Sequence, residues 1–166
     1  MKWPLKMEWR YPIIDRFDYN FDVMSMQDEA QPIQPDVVVV EDNEDDARIT
    51  LMALRRLEPR PKVELIVDGA AAVEALIDKH ALYPRLVLLD LKLPRVHGLD
   101  VLQAIRNDEK TRGMSVVMLT SSSEPSDVAR ANELGCQGYL TKPIDWQEYL
   151  ALVCEAAAKF LPPKLP

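Results

Sequence analysis

Five polar residues stand directly after short apolar runs. Glu41 and Asp42 follow Val37 to Val40, Asp90 follows Leu86 to Leu89, Thr120 follows Val116 to Leu119, and Lys142 follows Tyr139 to Thr141. Brought to one crevice, three carboxylates repel each other, which raises their pKa values and costs stability unless a cation sits among them. Ligation by a few carboxylate oxygens suits a hard divalent ion, and Mg2+ keeps several waters and leaves room for a phosphate oxygen. Lys142 adds a positive point charge and the Thr120 hydroxyl a hydrogen-bond donor. Together these are the parts needed to move a phosphoryl group, where catalysis is mostly positioning and neutralisation of oxygen charge. Asp90 can serve as the nucleophile, since carboxylates form acyl phosphates. Taken singly, each of these residues could cap a helix or face water; their shared place at run ends is what points to chemistry.

The elements that must position them are legible. Val37 to Val40 is a continuous β-branched run, the mark of a strand buried on both faces of a parallel sheet. The polar stretch Glu41 to Asp46 then offers capping groups to a helix with apolar positions Ile49, Met52, Ala53 and Leu57. The alternation continues with a strand near Val63 to Val67, a helix through Val73, Leu76 and Ile77, a strand Leu86 to Leu89, and a helix through Val101, Leu102 and Ile105. A strand Val116 to Leu119, a helix of weaker periodicity near Ser126 to Leu134, a strand Tyr139 to Thr141, and a helix with Trp146, Tyr149, Leu150, Val153, Ala157 and Phe160 on one face complete it. Five strands alternating with five helices predict an α/β fold of the flavodoxin-like doubly wound (βα)5 type, a parallel sheet of order 2-1-3-4-5 covered on both sides. In such sheets ligands bind outside the carboxyl ends of the strands. The second strand ends in Asp68 and Gly69, which carry no evident chemistry; as the edge strand in this order, it needs none.

Composition bounds the rest. The chain has 166 residues, of which 48% are hydrophobic and 28% charged, with 27 acidic against 20 basic side chains. That is enough for one domain with its own core. The net charge of -7, with basic residues scattered singly or in pairs such as Arg55 and Arg56, argues against nucleic-acid binding by phosphate neutralisation. No apolar run approaches the roughly 18 to 20 residues of a membrane span. The two cysteines, Cys136 and Cys154, lack metal or disulfide spacing, so a cytoplasmic setting is expected. Residues 1–35 hold six of the eleven aromatics, among Pro4, Pro12, Pro32 and Pro35, with no sustained period and no signal-peptide pattern. They are expected to be an irregular extension dispensable for folding, followed by the domain at 36–161 and a short Pro-rich tail at 162–166.

The segments VVVVEDNEDD, LVLLDLKLPRVHGLDVL, VVMLTSS and GYLTKPID, in this order and spacing, resemble the receiver domain of two-component response regulators over about Asp36 to Phe160. The resemblance implies that Asp90 accepts a phosphoryl group from a phosphohistidine on a sensor histidine kinase. It implies Mg2+ held by Glu41, Asp42, Asp90 and the backbone carbonyl of Lys92, and Lys142 paired with the phosphoryl oxygens. Thr120 would move to bond the phosphoryl group and Tyr139 would swing inward, reporting phosphorylation to the face made by the fourth helix, fifth strand and fifth helix. Lys142–Pro143 falls where the family has a cis peptide, and Gly98 matches the turn opening its third helix. Within the family, the EDN start, the DLKLP segment, the absence of a fused output domain and the Leu-Pro tail look like the stand-alone regulators paired with phytochrome-type kinases. Those relatives commonly form homodimers through the same face, so a dimer is expected, with a phosphorelay intermediate or phosphate sink as the alternative role.

Glu41 stands where Asp is frequent in the family, a longer arm to the same ligation. Lys92 and Ser122 occupy positions that tune phosphoryl lifetime; His80 and His97 are assigned no role. An Asp-nucleophile Mg2+ phosphatase of the haloacid dehalogenase type is the sharpest rival, but it would want a second Asp two residues after the nucleophile, where Lys92 stands. A dinucleotide-binding enzyme would want a glycine-rich turn after the first strand, where acids stand. A binding module that never accepts phosphate would leave the acidic constellation unexplained.

Overall fold

Strand faces alternate in this chain between two layers of helix. The computed structural model describes residues 34–77 and 82–161; the aromatic extension up to residue 33, His80 and the tail at 162–166 lie outside them. The described elements run β1 (Val37–Val40), α1 (Glu44–Leu54), β2 (Val63–Ile66), α2 (Gly69–Ile77), β3 (Leu86–Leu89), α3 (Gly98–Asn107), β4 (Val116–Thr120), α4 (Pro125–Glu133), β5 (Gly138–Thr141) and α5 (Trp146–Phe160). All strand pairs are parallel, in the order β2-β1-β3-β4-β5. This is the flavodoxin-like order expected from the alternation of runs.

Successive side chains on a strand point to opposite faces, so a strand buried on both sides supplies two cores. Val38, Val40, Val87, Leu89, Val116 and Met118 face α2, α3 and α4, meeting Leu76, Leu102 and Ala131. Val37, Val39, Leu86, Leu88, Val117 and Leu119 face α1 and α5, meeting Leu54, Tyr149 and Val153. Each fully buried leucine contributes enough that truncation to alanine typically costs about 2–5 kcal/mol. The central strands β1, β3 and β4 are therefore fixed in register, whereas the edge strand β2 is buried only at Ile66.

Two apolar assignments fail. Trp146, expected on the buried face of the last helix, begins α5 and is 51% exposed, and Met52 on α1 is 41% exposed. Trp146 is the first residue of α5, and the buried face is filled instead by Tyr149, Leu150, Val153, Ala156 and Ala157. The Lys142–Pro143 peptide is trans, against the expectation of cis; among the described residues the cis bond is Glu58–Pro59. Trans is the lower-energy state of an X-Pro bond by about 0.5–1 kcal/mol, and with it Lys142 already reaches its carboxylate partners.

Candidate functional site

Register carries the acids to one place. β1 and β3 are neighbours with Val40 opposite Leu89, so the next residue on each strand emerges side by side at the carboxyl end of the sheet. The ladder closes with the Asp90 amide donating to the Val40 carbonyl at 3.0 Å and the Glu41 amide to the Ile66 carbonyl at 2.9 Å. At the next pair, Lys142 donates its amide to the Thr120 carbonyl at 2.8 Å, fixing the base of its side chain beside β4.

Local capping shapes the acidic loop. The Asn43 side chain accepts from the Asp45 and Asp46 amides at 3.0 Å each, starting α1, and Glu41 Oε1 accepts from the Asn43 amide at 3.1 Å. That turn brings Asp46, in the first turn of α1, back toward the strand ends. Three negative side chains in the first turn of α1 also suit the positive end of its dipole.

One ammonium gathers three of the carboxylates. Lys142 Nζ donates to Glu41 Oε2 at 2.5 Å, Asp46 Oδ2 at 3.0 Å and Asp90 Oδ2 at 3.2 Å. Its side chain is only 6% exposed. The other oxygen of Asp90 accepts from the Leu91 amide at 2.6 Å, so both oxygens of this buried carboxylate are oriented. Carboxylate oxygens of Glu41, Asp42 and Asp90 lie within 4.8 Å of one another, with Asp42 exposed and the other two buried. Hard, negatively charged and mutually close, this donor set fits a divalent cation of the Mg2+ type. The electrostatics agree: burial pushes the Glu41 carboxyl up to about 7 despite the opposing pull of Lys142. Burial presses on the Lys142 ammonium too, but its bond to Glu41 and the charge of Asp90 hold its pKa above the usual lysine value. A single lysine thus leaves the cluster under-neutralised.

Thr120 is fully buried at the end of β4, and its Oγ1 accepts from the Ser122 amide at 3.2 Å. Tyr139 on β5 is half-buried and donates its hydroxyl to the Ser122 carbonyl at 2.9 Å; burial raises its phenol pKa. Ser122 Oγ in turn bonds Asp127 Oδ2, in the first turn of α4, at 2.7 Å. Lys92 has an exposed side chain, and His97 is the exposed N-cap residue of α3 without a side-chain capping bond. Beneath the cluster, Thr50 and Tyr149 share a buried hydroxyl hydrogen bond of 2.9 Å.

Sequence reasoning placed Glu41, Asp42, Asp90, Thr120, Tyr139 and Lys142 at strand ends and did not include Asp46. Nothing in the spacing marked Asp46, because Asp42 precedes the helix and the approach of Asp46 depends on the turn capped by Asn43. Asp68 was also passed over; it accepts from the Ala70 and Ala71 amides at the start of α2 and pairs with Arg95.

A five-stranded 2-1-3-4-5 parallel sheet with an acid-and-lysine crevice at its carboxyl edge defines a flavodoxin-like signalling-type α/β domain. The chain belongs to the response regulator receiver family: the model of the response regulator receiver domain matches residues 37–153. It is 36% identical over 115 residues to the probable methanogenesis regulatory protein FilR2 of Methanothrix harundinacea, covering 68% of this chain and 74% of that protein. It is 31% identical to the polar-differentiation response regulator DivK of Brucella ovis, over 70% of this chain and 91% of that one. Among solved structures, the phosphorylated cyanobacterial phytochrome response regulator RcpA superposes with a TM-score of 0.73 at 29% identity, covering 77% of this chain and 94% of its own. The Mn2+-bound form of response regulator Rcp1 does so with 0.72 at 30% identity, over 78% and 97%. Receivers are phosphoacceptor regulators of two-component systems that interact with histidine kinases and are generally not classed as enzymes. Among the described residues, no helix is long and apolar enough to cross a membrane.

Proposed function

We propose that this receiver accepts a phosphoryl group on Asp90 from the phosphohistidine of a sensor histidine kinase, with Mg2+ as cofactor. The observation that carries the reading is the convergence of Asp90, Glu41 and Asp46 on the Lys142 ammonium, with Asp42 forming a three-carboxylate cluster with Glu41 and Asp90. An Asp90 carboxylate oxygen attacks phosphorus, the phosphorus–nitrogen bond breaks, and its electron pair stays on the departing imidazole. The product is an acyl phosphate on Asp90. Glu41, Asp42, Asp90 and the Lys92 carbonyl would hold the Mg2+, which supplies neutralisation of phosphoryl oxygen charge when bound. Lys142, tethered through its backbone to Thr120, is placed to turn from carboxylate to phosphoryl oxygen without moving the strand.

The signal leaves through Thr120 and Tyr139. The phosphoryl group adds negative charge and acceptor oxygens; the Thr120 hydroxyl turns to donate to it, and Tyr139 moves into the vacated space. Because Tyr139 and Asp127 are both fastened to Ser122, that motion loosens the start of α4 and alters the α4-β5-α5 face, through which a homodimer or a downstream protein is recognised. The likeness to phytochrome response regulators favours a phytochrome-type kinase as phosphodonor.

The test is addition of a small phosphodonor such as acetyl phosphate with Mg2+, read by intact-mass spectrometry. A single labile phosphate on the native protein and none on Asp90→Asn is expected. No adduct on the native protein, or an undiminished one on the variant, overturns the reading.

A further inference from the structure

The loop between β3 and α3, residues 90–97, carries Lys92 and is tied down at its neck and its apex. At the neck, the Gly98 amide donates to the Leu91 carbonyl at 2.8 Å. At the apex, the Pro94 carbonyl accepts from the Val96 amide at 2.8 Å and from the Gly69 amide, at the start of α2, at 3.2 Å. Gly69 is packed so closely that a Cβ there would collide with the Val96 carbonyl oxygen. Arg95, at φ 65°, is the non-glycine residue in left-handed backbone among the described residues, a conformation that costs an arginine energy unless its surroundings hold it.

What holds it is Asp68. One carboxylate oxygen, Oδ1, caps α2 by accepting from the Ala70 amide at 2.7 Å and the Ala71 amide at 3.0 Å. The other, Oδ2, accepts from Arg95 Nε. The Asp68 side chain, bonded to two amides on the capping side, is 15% exposed, while that of Arg95 is 64% exposed. The carboxylate therefore works as a bracket between a helix start and a strained loop apex. The loop closes on its own neck at Leu91 and Gly98, and Lys92 lies between that neck and the bracketed apex.

We propose that Asp68 is a positioning residue for the metal site: by bracketing Arg95 to the N-terminus of α2 it fixes the β3–α3 loop and aims the Lys92 carbonyl at the acidic cluster. This rests on the reading of Glu41, Asp42, Asp90 and the Lys92 carbonyl as metal ligands. It assigns a role to the edge strand, whose end had none. Partners that orient a ligand commonly govern metal affinity, and this one acts through the backbone of a ligand-bearing loop.

Two variants separate the bracket from the fold. Asp68→Asn retains a side-chain oxygen to cap α2 but loses the charge that holds Arg95. Arg95→Gly removes the guanidinium and relieves the left-handed backbone. Mg2+ binding is measured by calorimetry, and labelling by acetyl phosphate is followed over a range of Mg2+ concentrations. Both variants are expected to bind Mg2+ roughly threefold to tenfold more weakly, less than a direct orienting partner would cost because the pair is partly exposed. The double variant should be no weaker than the single ones, and saturating Mg2+ should restore the labelling rate. A purely structural bracket would lower the urea midpoint and leave Mg2+ affinity alone, which overturns the proposal, as do additive losses in the double variant. If the native protein takes no phosphate, the phosphoacceptor reading fails, while the Mg2+ titration still decides the role of Asp68.

Discussion

Lys142 Nζ lies closer to Glu41, at 2.5 Å, than to Asp90, at 3.2 Å. The ammonium is thus held most closely by Glu41, and Asp90, the phosphoacceptor proposed above, is engaged at the longer distance. If Mg2+ binds among these acids as proposed, it and Lys142 offset the charge of the same carboxylates.

Replacing the lysine exposes that overlap. Lys142→Met leaves buried carboxylates without their cation, and breaking a buried ion pair by removing one partner typically costs about 3–5 kcal/mol. At pH 8 without metal, urea unfolding should show a loss of this order. Millimolar Mg2+ should recover more stability in the variant than it adds to the native protein, because binding to the folded state stabilises it. Equal gains in both proteins would mean that the metal does not sit among these acids.

The Glu41 carboxyl gives the pH dependence its sign. Its pKa is raised from 4.5 to about 7, chiefly by burial, so the folded state binds a proton more tightly than the unfolded chain. Metal-free stability should therefore be greatest at the acid side of this window and fall as pH rises from about 4.5 through about 7. Mg2+ competes with that proton, so its affinity should climb over the same range. Glu41→Gln, which cannot ionise, should flatten both profiles, as measured by unfolding and by titration calorimetry from pH 5 to 8. A metal-free stability that rises across this window in the native protein alone would refute the burial argument.

These two consequences start from residues visible in the sequence, and the contrast with those that were not is physical. Val37 to Val40 and Leu86 to Leu89 announced themselves because strands buried on both faces cannot tolerate polar residues, so the first polar residue after each run had to mark the strand's carboxyl end. Glu41, Asp42 and Asp90 were legible for that reason. Asp46 was not, because its role depends on the angle at which α1 leaves the strand, set by the Asn43 cap. Asp68 read as idle because its partner, Arg95, is 27 residues away and meets it only through a left-handed turn. Trp146 misled the reading of its helix because apolar spacing alone does not say whether the first residue of a helix is covered.

Tyr139 should couple phosphorylation to α4. Its hydroxyl bond to the Ser122 carbonyl and the Ser122–Asp127 bond form a single path from β5 to the start of that helix. In the native protein, a phosphate analogue with Mg2+ should lower hydrogen-exchange protection of amides in the first turns of α4. Tyr139→Phe loses one partly buried hydrogen bond, worth about 1 kcal/mol, and should start with that protection already reduced. The analogue should then change it little, while labelling of Asp90 proceeds as before. Unaltered exchange in the native protein would remove α4 from the output.

Gly98 packs against the Asp90 backbone, and its replacement tests whether the place of the proposed phosphoacceptor depends on the third helix. A Cβ at Gly98 would collide with the Asp90 carbonyl oxygen and crowd the Leu91 Cα at 2.8 Å. Both neighbours are backbone, so neither can turn aside as a flexible side chain would. The strand end or the helix start must move, and overpacking of this kind costs about 1–3 kcal/mol, with this site expected at the upper end or beyond. Because the Asp90 carboxylate also bonds the Leu91 amide, the displacement reaches the side chain of the proposed phosphoacceptor. Gly98→Ala should therefore weaken Mg2+ binding and acetyl phosphate labelling as well as lower the urea midpoint. Gly113→Ala is the control: nothing stands within 4 Å of its added Cβ, so it should leave labelling unchanged and stability equal or slightly higher. If the two alanines behave alike, the close approach of Gly98 to the Asp90 backbone does not constrain the site.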